Sequence, residues 1–282
     1  MNLTVLIHCP DQKGIISAVT NFLHEKGGNV VYLDQHVDKQ AAIFFMRLEA
    51  EFENGYTQQL FDSEFKDTLA PRFNMKWQSH LKKIKPRMAL FVSKYNHCLY
   101  DLLSRYHSGE LEAEIPFILS NHKDLGFIAE QFGIPFYHVP FSKENREEAE
   151  AEQLKLLKEH KVDFIVLARY MQIVSSTVIA QYPNKIINIH HSFLPAFAGA
   201  KPYHAAFKRG VKIIGATSHY VTEELDAGPI IEQDVVPVSH THTIKDFIAK
   251  GRDLEKIVLA RAVKLHLKHK TMVYNNKTVI FT

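Results

Sequence analysis

Asn188 and His190 stand two residues apart where the apolar run 186–189 passes into His190-His191-Ser192-Phe193-Leu194-Pro195. Such a run reads as a short buried strand. On an extended backbone, residues i and i+2 project to one side, so an amide and an imidazole are presented together. An amide N–H stabilises a developing oxyanion without titrating, and an imidazole changes protonation near neutral pH. A second group follows in Thr217-Ser218-His219-Tyr220-Val221, a strand that is polar where a structural strand would be apolar. It leads into Thr222-Glu223-Glu224-Leu225-Asp226-Ala227-Gly228-Pro229, whose Asp226 supplies a carboxylate. Each segment also has a structural reading. Asn188 then caps a turn, Asp226 is a good turn former before Gly-Pro, and His190 is one of 17 histidines.

These residues need a scaffold, and the apolar pattern supplies one of the α/β class. Strands over 3–8, 29–37, 41–51 and 73–77, with helices after Gly14 and over 57–69, give the order βαββαβ, a ferredoxin-like unit. A basic, proline-containing stretch follows, His80-Leu81-Lys82-Lys83-Ile84-Lys85-Pro86-Arg87. It predicts domains over 1–82 and 88–282 with a linker at 83–87. From Met88, short apolar runs at 88–92, 115–119, 136–138, 164–167 and 186–189 alternate with helical segments near 97–106, 124–132, 143–159 and 174–180. That alternation predicts a doubly wound, mostly parallel, Rossmann-like sheet. Two later strands (213–220 and 230–236), a long helix (243–268) and a terminal hairpin around Asn275-Asn276 complete the chain. Sheets of this kind bind ligands at the carboxyl ends of their strands, where Asn188 and His190 fall.

Composition narrows the partners. A length of 282 residues suits two domains, and a net charge of +3 without a basic stripe argues against nucleic acid. No run approaches the ~20 apolar residues of a membrane span. The N-terminus has no secretion-signal pattern, and the two cysteines, Cys9 and Cys98, form neither a disulfide framework nor a zinc pattern. The expectation is a cytoplasmic protein without membrane contact.

The two polar segments together resemble the signature of the folate-dependent formyltransferase family. That signature is an Asn-x-His with a Ser-x-Leu-Pro turn, here Asn188 to Pro195, then a His with Asp-x-Gly-Pro seven residues on, here His219 and Asp226 to Pro229. Leu167-Ala168-Arg169-Tyr170-Met171-Gln172-Ile173-Val174 is similar to the family's folate-contacting loop. The resemblance covers about 86 to 240. Members that accept a ribonucleotide carry a glycine-rich phosphate loop after the first strand. Here that stretch is Ser93-Lys94-Tyr95-Asn96-His97-Cys98-Leu99, without glycine. Too little chain follows residue 240 for the extra domain of the members that act on tRNA. The N-terminal unit is similar to an ACT domain, with Asp11-Gln12-Lys13-Gly14 at its first turn and Gly28-Asn29-Val30 at its second strand. An ACT-like unit ahead of such a domain resembles the deformylase branch of the family, as do His190-His191-Ser192 and Lys201-Pro202-Tyr203-His204.

That resemblance implies hydrolysis of 10-formyltetrahydrofolate to tetrahydrofolate and formate, supplying formate for purine synthesis and balancing one-carbon pools, with no cofactor. It implies catalysis by Asn188, His190 and Asp226, and folate contacts at Met171, Gln172, Val174, Thr217, His219, Val221, Leu225 and Gly228. Asn188 would donate to the oxyanion, and His190 would add charge when protonated. Asp226 would orient and deprotonate the attacking water, and His219 would shape the pocket or orient Asp226. Histidines 190, 191, 204 and 219 match no common ligand spacing, and no metal is expected. An amino-acid effector would meet Asp11, Gly14 and Asn29, or the ACT-like unit only assembles a homo-oligomer. Transfer to an unidentified amine, and a non-catalytic folate or amino-acid sensor, are the competing functions.

Overall fold

The computed structural model describes residues 1–53, 55–142, 144–196 and 202–282. Lys201, part of the Lys201-Pro202-Tyr203-His204 motif, lies outside the described residues. The chain forms two compact units. The first holds Met1–Lys85 together with His269–Met272 and Ile280–Thr282, and the second holds Pro86–Lys268 and Val273–Val279. The sequence placed all of 88–282 in one domain, whereas His269–Met272 and Ile280–Thr282 group with the first unit. Arg47 Nε donates to the His269 carbonyl at 2.9 Å, and Tyr32 OH to that of Thr282.

In the first unit, β1 (Asn2–Pro10), β2 (Gly28–Asp38), β3 (Ile43–Phe52) and β4 (Lys76–Leu81) form an antiparallel sheet in the order β2-β3-β1-β4. Helix α1 (Ile15–Glu25) starts after Gly14, whose φ of 89° is left-handed and suits glycine. Its buried stripe is Ile15, Val19, Phe22 and Leu23. Helix α2 (Gln58–Glu64) is capped by Thr57, then passes through a π turn (Phe65–Leu69) into α3 (Ala70–Phe73). The last strand was expected over 73–77 but begins at Lys76. Phe73 belongs to the helical face that enters the core, and the left-handed Asn74 (φ 51°) ends the helix only after it.

The second unit is built on a seven-stranded sheet. Its strands are β5 (Met88–Val92), β6 (Ile118–Ser120), β7 (Phe136–His138), β8 (Phe164–Leu167), β9 (Ile186–His190), β10 (Ile213–Tyr220) and β11 (Ile230–Pro237), in the order β11-β10-β9-β8-β5-β6-β7. β5 to β9 are parallel, while β10 runs antiparallel to β9 and β11 antiparallel to β10. β6 starts three residues later than expected, since Pro116 has no N–H for a ladder bond. The helices are α4 (His97–His107), α5 (Gly126–Gln131), α6 (Arg146–Glu159), α7 (Ser176–Gln181), α8 (Pro202–Arg209) and α9 (Ile244–Leu267). The sequence reading did not anticipate α8. Thr243 and Asp246 form the capping box of α9. The closing hairpin, β12 (Thr271–Tyr274) and β13 (Lys277–Ile280), turns through Asn275 and Asn276, both at positive φ as a two-residue turn of this hand requires. No helix of the described residues is long and apolar enough to cross a membrane.

Candidate active site

The strand order reverses between β5 and β8, so the crevice at their carboxyl ends is the topological switch point. There the backbone N–H of Met171 donates to Ser93 Oγ at 3.0 Å, and Ser93 Oγ donates to Asn121 Oδ1 at 2.6 Å. This ties the loop after β8 to the ends of β5 and β6. Of its expected contact residues, Met171 is exposed, Gln172 is half-buried, and Val174 packs partly onto the core.

One strand further, the antiparallel register of β9 and β10 sets Asn188 opposite His219 and His190 opposite Thr217. Side chains alternate along each strand, so all four rows meet on one face. Asn188 Nδ2 lies 3.2 Å from His219 Nε2, while His219 Nδ1 lies 2.9 Å from the Tyr220 carbonyl. A carbonyl only accepts, so the neutral ring carries its proton on Nδ1 and its Nε2 accepts from Asn188. His219 therefore fixes which way the Asn188 amide faces.

Asp226 enters from the β10–β11 loop, with a left-handed φ of 55° that Asp tolerates better than most residues. Its Oδ2 lies 3.2 Å from His190 Nδ1, and its Oδ1 lies 3.7 Å from His219 Nε2. The first distance is that of a hydrogen bond, and the second is too long for one. The His190 hydrogen bond holds the carboxyl well below the usual carboxylate range, against the opposing effect of burial. A depressed carboxyl contributes stability that is present above its unfolded value of ~4 and lost as pH falls towards the folded one. The stability difference between wild type and Asp226→Asn, followed by urea unfolding, is therefore expected to shrink as pH is lowered through ~4. A difference that grows with acid would contradict this geometry.

His190 and Ser192 are buried, and His190 Nε2 and Ser192 Oγ have no hydrogen-bond partner among the described residues. Buried polar atoms are rarely left so, and in a native protein such an atom calls for an explanation. Ser192 was given no role from sequence. Its signals there are membership of the Ser-x-Leu-Pro turn and of the His190-His191-Ser192 run.

The remaining expected contacts divide. Thr217 is fully buried and its hydroxyl is committed: it donates to the Ser192 carbonyl at 2.8 Å and accepts from Leu194 N and Gln233 Nε2. Its side chain thus shapes the 192–194 turn. Val221 is half-buried, and its N–H donates to Ile186 O at 2.8 Å. Leu225 is exposed, and Gly228 is buried against the β10 backbone. His204 is exposed on α8. Asp11 and Gly14 are exposed at the β1–α1 turn, but the register aligns Asn29 with Glu51 and Asn2, at the other end of β1. At ~3.3 Å per residue the two places are roughly 25 Å apart, so one chain does not bring the three effector residues together.

Comparison with known proteins agrees with this layout. The formyl transferase family model matches residues 86–263, and the ACT domain model matches 3–55. A formyltetrahydrofolate deformylase of Synechocystis is 51% identical over 100% of this chain and 99% of its own. The chain belongs to the formyltetrahydrofolate deformylase family. A Bacillus subtilis member is 46% identical, covering 98% of this chain and 93% of that one. The crystal structure of a formyltetrahydrofolate deformylase from Pseudomonas syringae superposes with a TM-score of 0.97 at 47% identity, over 100% of this chain and 94% of that chain. The family thus has both parts seen here, an ACT domain and a formyltransferase-type domain with a mostly parallel sheet.

Proposed function

We propose that this chain hydrolyses 10-formyltetrahydrofolate to tetrahydrofolate and formate, with Asn188, His190 and Asp226 carrying the chemistry. The observation that supports it most is the His190 ring: Nδ1 on the Asp226 carboxylate, Nε2 buried and without a hydrogen-bond partner among the described residues. An imidazole held in this way has its proton on Nδ1 and a lone pair on Nε2, the arrangement of a general base.

In this reading a water oxygen attacks the formyl carbon while His190 Nε2 takes one of its protons. The imidazolium formed is stabilised by Asp226, and Asn188 donates an N–H to the oxyanion. The carbon–nitrogen bond then breaks, and His190 returns the proton to the departing nitrogen. Formic acid leaves and ionises in water. The sequence reading had Asp226 take the water's proton itself. Its paired carboxyl has too little proton affinity for that, so Asp226 orients and charges the imidazole instead. Folate contacts from Met171, Gln172, Val174, His219, Val221, Leu225 and Gly228, an effector at the ACT unit, homo-oligomeric assembly and a cytoplasmic setting without a cofactor belong to the same proposal. So does the supply of formate for purine synthesis.

The test is formate release from 10-formyltetrahydrofolate by the purified chain with no acceptor present. Turnover supports the hydrolase. Turnover that requires an added amine would replace it with a transferase, and tight folate binding with neither would leave a sensor. Within the hydrolase, Asn188→Ala is expected to lower kcat by ~10²–10³ with KM little changed, as removal of one oxyanion donor does. A change confined to KM would move Asn188 from the transition state to ground-state binding.

A further inference from the structure

Glu255 sits on α9 with its side chain 1% exposed, and charged residues are almost never so buried unless paired. Three side chains from three other segments meet it, two within hydrogen-bond geometry and Arg169 as an ion pair. His97 Nε2 at the start of α4 lies 2.9 Å from Oε2, Arg169 Nε lies 3.3 Å from the same oxygen, and Tyr203 OH on α8 donates to Oε1 at 2.5 Å. His97, with Cys98 and Glu255, comes close enough to suggest a cation site. The Arg169 guanidinium against that carboxylate already supplies the positive charge, which opposes a metal ion there. The cluster is instead connected to the catalytic ring. Tyr203 and His191 meet edge to face with ring centroids 5.7 Å apart, and His191 and His190 meet at a tilt of 50° with centroids 5.3 Å apart. α9 is shaped to receive Tyr203. A Cβ on Gly251, one turn before Glu255, would lie 2.2 Å from Tyr203 Cζ and 2.3 Å from its hydroxyl.

We propose that Glu255 and Tyr203 are positioning residues for the hydrolysis proposed above: Glu255 anchors the Tyr203 hydroxyl, and Tyr203 supports the His190 ring through His191. Asp226 grips the His190 ring at one nitrogen, which leaves rotation about that contact free. Packing of the His191 ring against His190 restricts that freedom and holds Nε2 where it meets the water. The same carboxylate secures Arg169, whose left-handed φ of 64° begins the loop to Met171. The anchor therefore serves two sides of the site, with kcat read through Tyr203 and KM through Arg169.

The experiment is a double-mutant cycle on formate release, with Tyr203→Phe made in wild type and in His190→Gln, the slow variants followed in single turnover. Tyr203→Phe is expected to lower kcat about tenfold at unchanged KM in wild type, as a small misplacement of a reacting group does. In His190→Gln it should have no further effect, because a residue acting through His190 has nothing left to position. The same tenfold loss in both backgrounds, a change in KM alone, or no loss would overturn the proposal. Gly251→Ala, which displaces the same ring from the α9 side, replaces Tyr203→Phe if that variant does not fold. If wild type turns over only with an added amine, the hydrolase reading fails, and the same cycle run on the transfer reaction still tests Tyr203.

Discussion

Asp226→Asn is expected to reduce formate release by ~10³–10⁴ while leaving folate binding within a few-fold of wild type. Two effects combine. Asparagine carries no charge, so the imidazolium formed during attack loses its counter-ion. Its amide also presents an N–H₂ to His190 Nδ1, now 3.2 Å from a carboxylate oxygen that can only accept. A ring facing a donor puts its proton on Nε2, which then has no lone pair for the water. The side chain is nearly the same size, so the crevice keeps its shape. Single-turnover formate release and folate binding by fluorescence separate the two quantities. Turnover within tenfold of wild type would remove Asp226 from the mechanism, and lost folate binding would make it a binding residue instead.

Gly228→Ala is the second large expected effect, and it arises from backbone geometry. A Cβ at this position would stand 1.8 Å from the Tyr220 carbonyl oxygen and 3.3 Å from Thr222 Cγ2. Tyr220 ends β10, and its N–H donates to Pro229 O at 2.9 Å, so neither side of the contact can move freely. The β10–β11 loop must open by more than 1 Å to admit the methyl group, and Asp226 is carried on that loop. The expected result is a loss of about 3 kcal/mol in stability, as overpacking of a tight site gives. Activity should fall by at least ~10², because displacement by about 1 Å of a group that positions the catalytic ring has that effect. Thermal melting and kcat on the same preparation test both parts. A variant that melts like wild type and keeps half its activity would show that the loop tolerates the shift.

Both predictions concern residues whose types were legible in the sequence but whose contacts were not. Asn188 and His190 could be paired from sequence because period-two alternation is local. That Asp226 meets His190 required β10 to lie beside β9 and to run antiparallel to it. The register places His190 against Thr217 and so brings the following loop back over the strand end. No pattern in 213–220 distinguishes a parallel from an antiparallel neighbour.

The same division holds for the rest of the chain. The sequence by itself determined two α/β units, the order of most strands and helices, and the Asn275-Asn276 turn. These follow from hydrophobic period and turn chemistry, which are local, while Asn188, His190 and Asp226 were implied as a set only by the resemblance to the family's motifs. Tertiary structure decided that Thr217 braces a turn, that His219 sets the Asn188 amide, and that Asp11 and Asn29 lie at opposite ends of one sheet. It also decided that Glu255, which lies within the expected long helix, is buried among His97, Arg169 and Tyr203. A carboxylate's exposure depends on which segments close over it, and those segments, 86 to 158 residues away along the chain for Arg169 and His97, leave no mark on the helix that carries it.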